Sequence, residues 1–532
     1  MTGALRWLVS FCAGVFRLFL SLILTALVLP SAALRIVVRD ETGHFIWARV
    51  EVRGPDFQMF QPTNAIMDHA EFSANRRDTD RYYLGSFVVE GQTSLDLPPG
   101  HYKVIAEHGL EYGRHEEEVD VAAEGPSAVL VQLRPWIRMR ERGWYSGDMH
   151  VHRSTKDAAA LSLAEDLNIC VIFTMWDKDD LWGDESLRVP IIRVTPDHFL
   201  TLWNAEDERG GGAWMLHNIR APLGLGGGAR WYPPGIRFVR AARRQKASPE
   251  ALFPWFDSEK PIWWEVPVMM ALAPPDSLGV VHNHFNQYNT LSSEVWGRPR
   301  NQEEFPGQEG FAKYCLGLYY RYLNLGFHLP PSAGSASGVL PAPVGYNRMY
   351  VPVSGPLTVE KWYAAVRAGK VLVTNGPILF FDIIKSHKYL KAMIEAHARE
   401  PIDRIEVVGN GEVLRELKPV AGTLDFVKEV ELDPGNHSWV AARCFLKTGG
   451  TVRFAHTSAI YLLGNWDASA DARYFIGWID ELIELTNSDR ERFRSDSEKQ
   501  EILRLYREAR EFYVAKAQPA PRGGRRPDKG KE

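Results

Sequence analysis

The sequence predicts a multidomain chain: an antiparallel β-sandwich, then a larger α/β domain with a mostly parallel sheet, then a C-terminal β segment and helices. Three observations carry that reading. At 532 residues the chain is too long for one hydrophobic core. Behind an apolar leader, about a hundred residues alternate with period two and hold no amphipathic helix. The middle of the chain instead alternates buried apolar runs with helical windows, the signature of βαβ units.

The leader comes first. Arg6 precedes an apolar stretch ending "LFLSLILTALVLPSAA", too short to span a bilayer, with Ser31 and Ala33 as small residues at a cleavage position. Residues 1–33 are therefore expected to be a signal peptide, with an uncleaved membrane anchor as the alternative. Either places the bulk of the protein outside the cytoplasm, periplasmic or extracellular. Cys170, Cys315 and Cys444 are too few and too scattered for a disulfide framework and read as buried thiols. With 62 basic against 66 acidic residues, nothing favours nucleic acid or an anionic membrane as partner.

Residues 34–136 follow as strands: "LRIVVRD", "ARVEVRG", "TSLDLPPGHYKVIAEHG" and "SAVLVQLRP", split by Gly, Pro and Asp turns. They predict a small antiparallel sandwich. The "LPPGHYKV" hairpin resembles the carboxypeptidase regulatory-like, transthyretin-like modules, which implies a spacer or interaction domain. In residues 140–392, "DAAALSLAEDLN" and "TVEKWYAAVRAGK" read as helices, while "ICVIFTMW" and "SLGVVHNH" read as buried strands. Long loops rich in Gly, Pro and Trp join them, and loops of such length are usually functional. Residues 393–465 return to strands. "DARYFIGWIDELIELTN" and "SEKQEILRLYREAREFYVAKA" make an amphipathic helical extension over 466–517. The basic Pro/Gly-rich end, 518–532, reads as a disordered tail.

The chemistry centres on "GWYSGDMHVHRS". In a strand, residues two apart share a face, so Asp148, His150 and His152 line up at the end of the first strand of the α/β domain. Imidazoles so spaced can chelate a divalent metal, with the aspartate as ligand or orienter. "GVVHNHF" repeats the device with His282 and His284, and "LWNAEDERGG" adds Glu206 between the two pairs. Metal ligation is weighed against satisfied structural histidines. His198, His217 and His328 lack a partner pattern and read as structural. Asp177, Asp179 and Asp180 read as an acidic helix start. Trp203, Trp214, Trp231, Trp263, Trp264 and Trp296 crowd the loops expected at the site. They are either aromatic walls for a sugar or aryl group or loop anchors, and Arg348 nearby could meet an anionic group.

"GDMHVH" resembles the opening motif of the PHP metal-dependent hydrolases. "WWEVPVMMALAPPDSLGVVHNH" and "RAGKVLVTNGP" resemble the CehA/McbA branch, over residues 140 to 460. The resemblance implies a distorted α/β barrel whose strand ends hold a divalent metal, zinc or manganese, as one or two ions. Metal-activated water would then attack an ester, carbamate or phosphoester. Asp148, His150, His152, Glu206, His282 and His284 are the implied ligands, with Glu206 and His284 as proton-handling residues and Trp203, Trp264 and Arg348 toward the substrate. The chain also departs from the family. Met175 and Trp176 stand where members carry "TDH", and "AGSASG", with Ser335 and Ser337, stands where they carry "GSDAH". The alternatives are a non-catalytic glycan- or ligand-binding envelope protein that keeps the aromatic cleft, and a structural envelope protein.

Overall fold

A computed structural model of the chain describes residues 32–518 except 64, 67–85, 177–178, 181–188, 222, 224–230, 248–251, 295–296, 341, 386–389, 434 and 490–491. The leader up to Ser31, the tail beyond Gln518, Asp177 and Trp296 lie outside the described residues. The protein is multidomain and strand-rich, with several sheets and, among the described residues, seven α-helices.

Strand Ala32–Arg39 alternates inward and outward, burying Leu34, Ile36 and Val38. It pairs with Gln92–Leu97 and Ser127–Gln132 to make one small sheet. A second sheet is built on Trp47–Arg53 and Gly100–Glu107. Leu34, Val50, Val52, Val104 and Val131 from the two sheets share one apolar cluster. The expected arrangement was wholly antiparallel, but Ala32–Arg39 and Ser127–Gln132 run parallel. The last strand arrives by a connection from the opposite sheet rather than through a hairpin, and only a hairpin enforces antiparallel pairing. Buried Arg49 bonds Glu107 in this region and Glu165 of the next, with Nε to Glu165 Oε1 at 2.9 Å.

Strand Trp144–Val151 pairs parallel with Ile169–Ile172, which pairs parallel with His198–Thr201. Both neighbours then break and resume, as Met175–Trp176 lies parallel to Ala205–Arg209. The two breaks coincide at one residue. Asn204 O accepts from the N–H groups of Thr174 and Met175, each at 3.2 Å. Its side chain donates to Ile172 O and Thr201 O, so the interrupted ladder stays paired. Gly212–His217 runs antiparallel to Ala205–Arg209, and Trp255–Ser258 antiparallel to it. Parallel pairs to Ser277–Val281 and Pro331–Ala333 follow, and a parallel bridge from Ser337 to Val151 returns to the first strand. Pairing thus runs in a circuit with one reversed strand, and the carboxyl ends of the parallel strands gather on one side. Asp179–Asp180 is a short strand paired antiparallel with Met175–Trp176, not the start of a helix.

On its other edge Trp144–Val151 pairs with Arg348–Pro352, and strands up to Glu412–Leu417 continue that sheet. Ile378–Lys385, Leu390–His397 and Asp425–Leu432 form a separate three-stranded sheet. Helices Ser469–Ser488 and Asp496–Ala517 bury Phe475, Trp478, Tyr506 and Tyr513 against the α/β core. Cys170, Cys315 and Cys444 are buried and unpaired, and burial pushes each thiol above its usual pKa.

Candidate metal centre

His150 and His152 project from the carboxyl end of Trp144–Val151 into one buried space. Their Nε2 atoms lie 2.8 Å apart. Glu206, from the strand that resumes after the Asn204 break, brings Oε2 to 2.9 Å from His152 Nε2 and 3.5 Å from His150 Nε2. The three donor atoms lie within 4.8 Å of one another, and all three residues are buried. Donors on a tetrahedral zinc stand about 3.3 Å apart. The set therefore fits one divalent ion after a shift of a few tenths of an ångström in the rings. Glu206 Oε2 otherwise has no hydrogen-bond partner among the described residues. A buried polar atom left this way is costly unless something binds it.

The electrostatics agree with the geometry. Burial raises the pKa of the Glu206 carboxyl, but the facing imidazoles outweigh it and hold the group well below the usual carboxylate range. Burial likewise opposes protonation of His150, yet Glu206 and then Glu259 carry its pKa above the ordinary value. At His152 burial wins and the pKa falls. Two imidazoles thus share one carboxylate, a donor set suited to a divalent cation.

Glu259, just beyond strand Trp255–Ser258, was not singled out in the sequence. Its Oε1 stands 3.5 Å from His150 Nδ1 and accepts from Asn283 Nδ2 at 2.7 Å, with Lys260 Nζ at 2.6 Å. A carboxylate on the far nitrogen of a ligand imidazole fixes its tautomer and orientation. The only available signal was an acid immediately after an apolar run, in "WFDSEKP".

The second pair behaves differently. His284 reaches the same cavity of about 190 Å³, together with Trp176, Trp263, Lys260 and Leu340. It stands outside the three-residue group and stacks on Phe311 with ring centroids 5.8 Å apart. His282 is not among the residues lining the cavity; it packs against Phe285 and Phe311, and its Nδ1 accepts from His284 N. Burial, aided by Lys260, holds both imidazoles well below their usual pKa and so neutral.

Asp148 lies on the same strand face but deeper, and it does not join the donor group. Its Oδ1 accepts from His150 N and Ser335 N at 3.0 Å each, and its Oδ2 from Gly345 N at 2.8 Å and from Ser335 Oγ. The carboxylate is spent on clamping the segment after Pro331–Ala333 onto the histidine strand. That segment also passes extremely close. Gly338 has φ +101°, and a Cβ there would come to 1.8 Å of His152 O.

The residues expected to face a substrate lie elsewhere. Trp203 is buried with Arg220 5.8 Å from its ring. Trp264 packs edge-on against Trp478 of the C-terminal helices. Arg348 is buried and bonds Gly345 O and Glu165 O. Loop tryptophans of this chain are mostly anchors, and the walls of the cavity are Trp176 and Trp263. Trp176 stands 5.0 Å from the His152 ring. His198, His217 and His328 contact Asp166, Tyr363 and Tyr461 and do not join the donor group.

No family model matches the chain, and no curated protein matches it. Among solved structures it is similar to a two-domain protein from Bacteroides vulgatus containing a predicted PHP-like metal-dependent phosphoesterase. That likeness has 9% identity and a TM-score of 0.29, and covers 60% of this chain and 95% of the other. A superposition of that quality establishes neither fold nor activity for this chain.

Proposed function

We propose that this protein is an exported metal-dependent hydrolase of the PHP kind, most akin to the CehA/McbA branch, acting on a carbonyl ester or carbamate. The observation that carries the proposal is the convergence of His150, His152 and Glu206 in a buried cavity at the strand ends. A divalent ion held there, zinc or manganese, would activate water and polarise the carbonyl. The residues of the chain supply the rest. Glu259 faces the far nitrogen of the His150 ring at 3.5 Å and favours its N–H there. His284 is kept neutral by burial, and its Nδ1 has no hydrogen-bond partner among the described residues, so its lone pair can accept a hydrogen bond from a group in the cavity. Trp176 and Trp263 offer apolar walls to an aryl or acyl group.

Substrate charge follows from the donor count. One three-residue donor group is found among the described residues, and a single cation clamps a doubly charged phosphate less well than two or three would. Lys260, the cation at the cavity, is already paired with Glu259. Neutral or singly charged esters and carbamates therefore fit better than phosphomonoesters. Export rests on the apolar leader, and the N-terminal sandwich serves as a spacer or interaction module.

A second reading keeps the pocket without turnover. It is favoured by Trp176 against His152 and Ser335 on Asp148, which fill positions where further ligands would stand. The test is an assay of aryl esters, carbamates and phosphoesters with metal-loaded wild type and Glu206→Gln. Ester or carbamate turnover should fall by about a hundredfold or more in the variant. No turnover with any metal, alongside glycan binding that survives the substitution, would establish the binding-protein reading instead.

A further inference from the structure

A second concavity lies at the opposite end of the histidine strand. It has a volume of about 560 Å³ and is lined by Trp144, Leu379, Phe380, Met393, Ile394 and Val427, among others. Trp144 and His150 are six residues apart on one strand, which is about 20 Å. The groove is therefore separate from the metal centre.

Its apolar surface is not simply unfinished core. On the outward face of the three-stranded sheet, Phe380, Glu395 and Val427 form one cross-strand row, and Met393 lies in the next. Val427 is 68% exposed and Met393 36%. The acid in that row is already neutralised, because Arg142 grips Glu395 at 2.7 and 2.8 Å while lying 3.9 Å over the Phe380 ring. His397 also bonds Glu395 at 2.7 Å. Asp382, the other acid on the lining, is exposed and accepts from Ile383 N.

One end of the groove is cationic and donor-rich. Lys370 is exposed, and its ammonium has no hydrogen-bond or ion-pair partner among the described residues. Beside it, Ser458 Oγ accepts from Val371 N at 3.0 Å, which leaves its O–H free to donate. An apolar trough ending in an unpaired ammonium and a hydroxyl matches a molecule with an apolar body and one anionic head.

We propose that this groove binds a small amphipathic carboxylate, with its acyl or aryl body along Phe380, Met393 and Val427 and its head at Lys370 and Ser458. Titration calorimetry of the full-length protein with dodecanoate tests it, with dodecanol and butyrate as controls. Dodecanoate should bind saturably at one per chain, and butyrate should not. Lys370→Glu should weaken dodecanoate by about tenfold, one charge-assisted hydrogen bond, and leave dodecanol nearly unchanged. Val427→Glu, at an exposed position that folding tolerates, should weaken both. The His150→Ala/His152→Ala protein should bind as wild type does. Absence of saturable dodecanoate binding, or equal binding by all variants, overturns the proposal. So does light scattering that shows a wild-type dimer lost in Val427→Glu, which makes the face a protein interface.

Discussion

The chain carries two His-x-His pairs at the ends of parallel strands in one circuit, and among the described residues only the first joins a three-donor group that could hold a metal ion. At His150/His152 the strand runs on to Val151, so both rings project from one face and meet the Glu206 carboxylate. At His282/His284 the strand ends at Val281, and the chain turns at once, with Phe285 N donating to His282 O at 2.9 Å. Period two is lost there, and the two rings part. His282 goes into the aromatic cluster of Phe285 and Phe311, and His284 to the cavity wall. What separates the pairs is where the strand stops and whether a carboxylate stands opposite.

The largest expected contrast is in metal affinity. His150→Ala/His152→Ala should lose zinc affinity by about a hundredfold or more, as removal of two of three donors requires. Replacing His282 by Asn should change it by less than about tenfold. Competition with a chromophoric chelator measures both, and equal losses would erase the distinction.

A smaller effect concerns how the working pair is held. Glu259→Gln keeps the side-chain shape but removes the charge facing His150 Nδ1, and should weaken zinc binding by about tenfold. Gly338→Ala tests the overlying segment. Its left-handed φ and the 1.8 Å approach to His152 O predict a loss of about 2–4 kcal/mol in denaturant unfolding. A neutral result would mean that the segment does not pin the site.

The smallest contrast is in acid response, measured on the metal-free protein. The folded-state pKa of His282 is depressed, so its contribution is intact above the unfolded value of about 6.5. Stability should be lost as pH falls below that value. His150 has a raised pKa and responds with the opposite sign. His282→Asn should therefore flatten the fall in melting temperature between about pH 6.5 and pH 5, and His150→Asn should remove a gain that wild type shows as pH falls toward about 6.5 from above. Identical pH profiles for the two variants would contradict the assignment of environments.

The same contrast shows what the sequence could and could not carry. His150 and His152 were legible because strand Trp144–Val151 carries His150 and ends one residue before His152, so period two still sets both rings on one face, and Glu206 because its strand runs into a glycine loop. The role of Asp148 was not, since only the folded chain brings Ser335 and Gly345 onto its oxygens. Helix Gly307–Asn324, which supplies Phe311 beneath His284, is buried on nearly every side and shows little amphipathic signal. Trp203, Trp264 and Arg348 went astray for a related reason. Proximity in sequence to a glycine-rich loop says nothing about which side of the sheet a side chain takes. Glu259 escaped because its strand is four residues long.

If His150, His152 and Glu206 hold one divalent ion, the ion's coordination shell carries their signature. X-ray absorption on the zinc-loaded full-length protein, with metal content measured in parallel, tests it most directly. One zinc per chain is expected, with scattering from two imidazoles and a first shell of nitrogen and oxygen at about 2.0–2.1 Å. Zinc that is absent at stoichiometric protein, lacks imidazole scattering, or persists in His150→Ala/His152→Ala would contradict it.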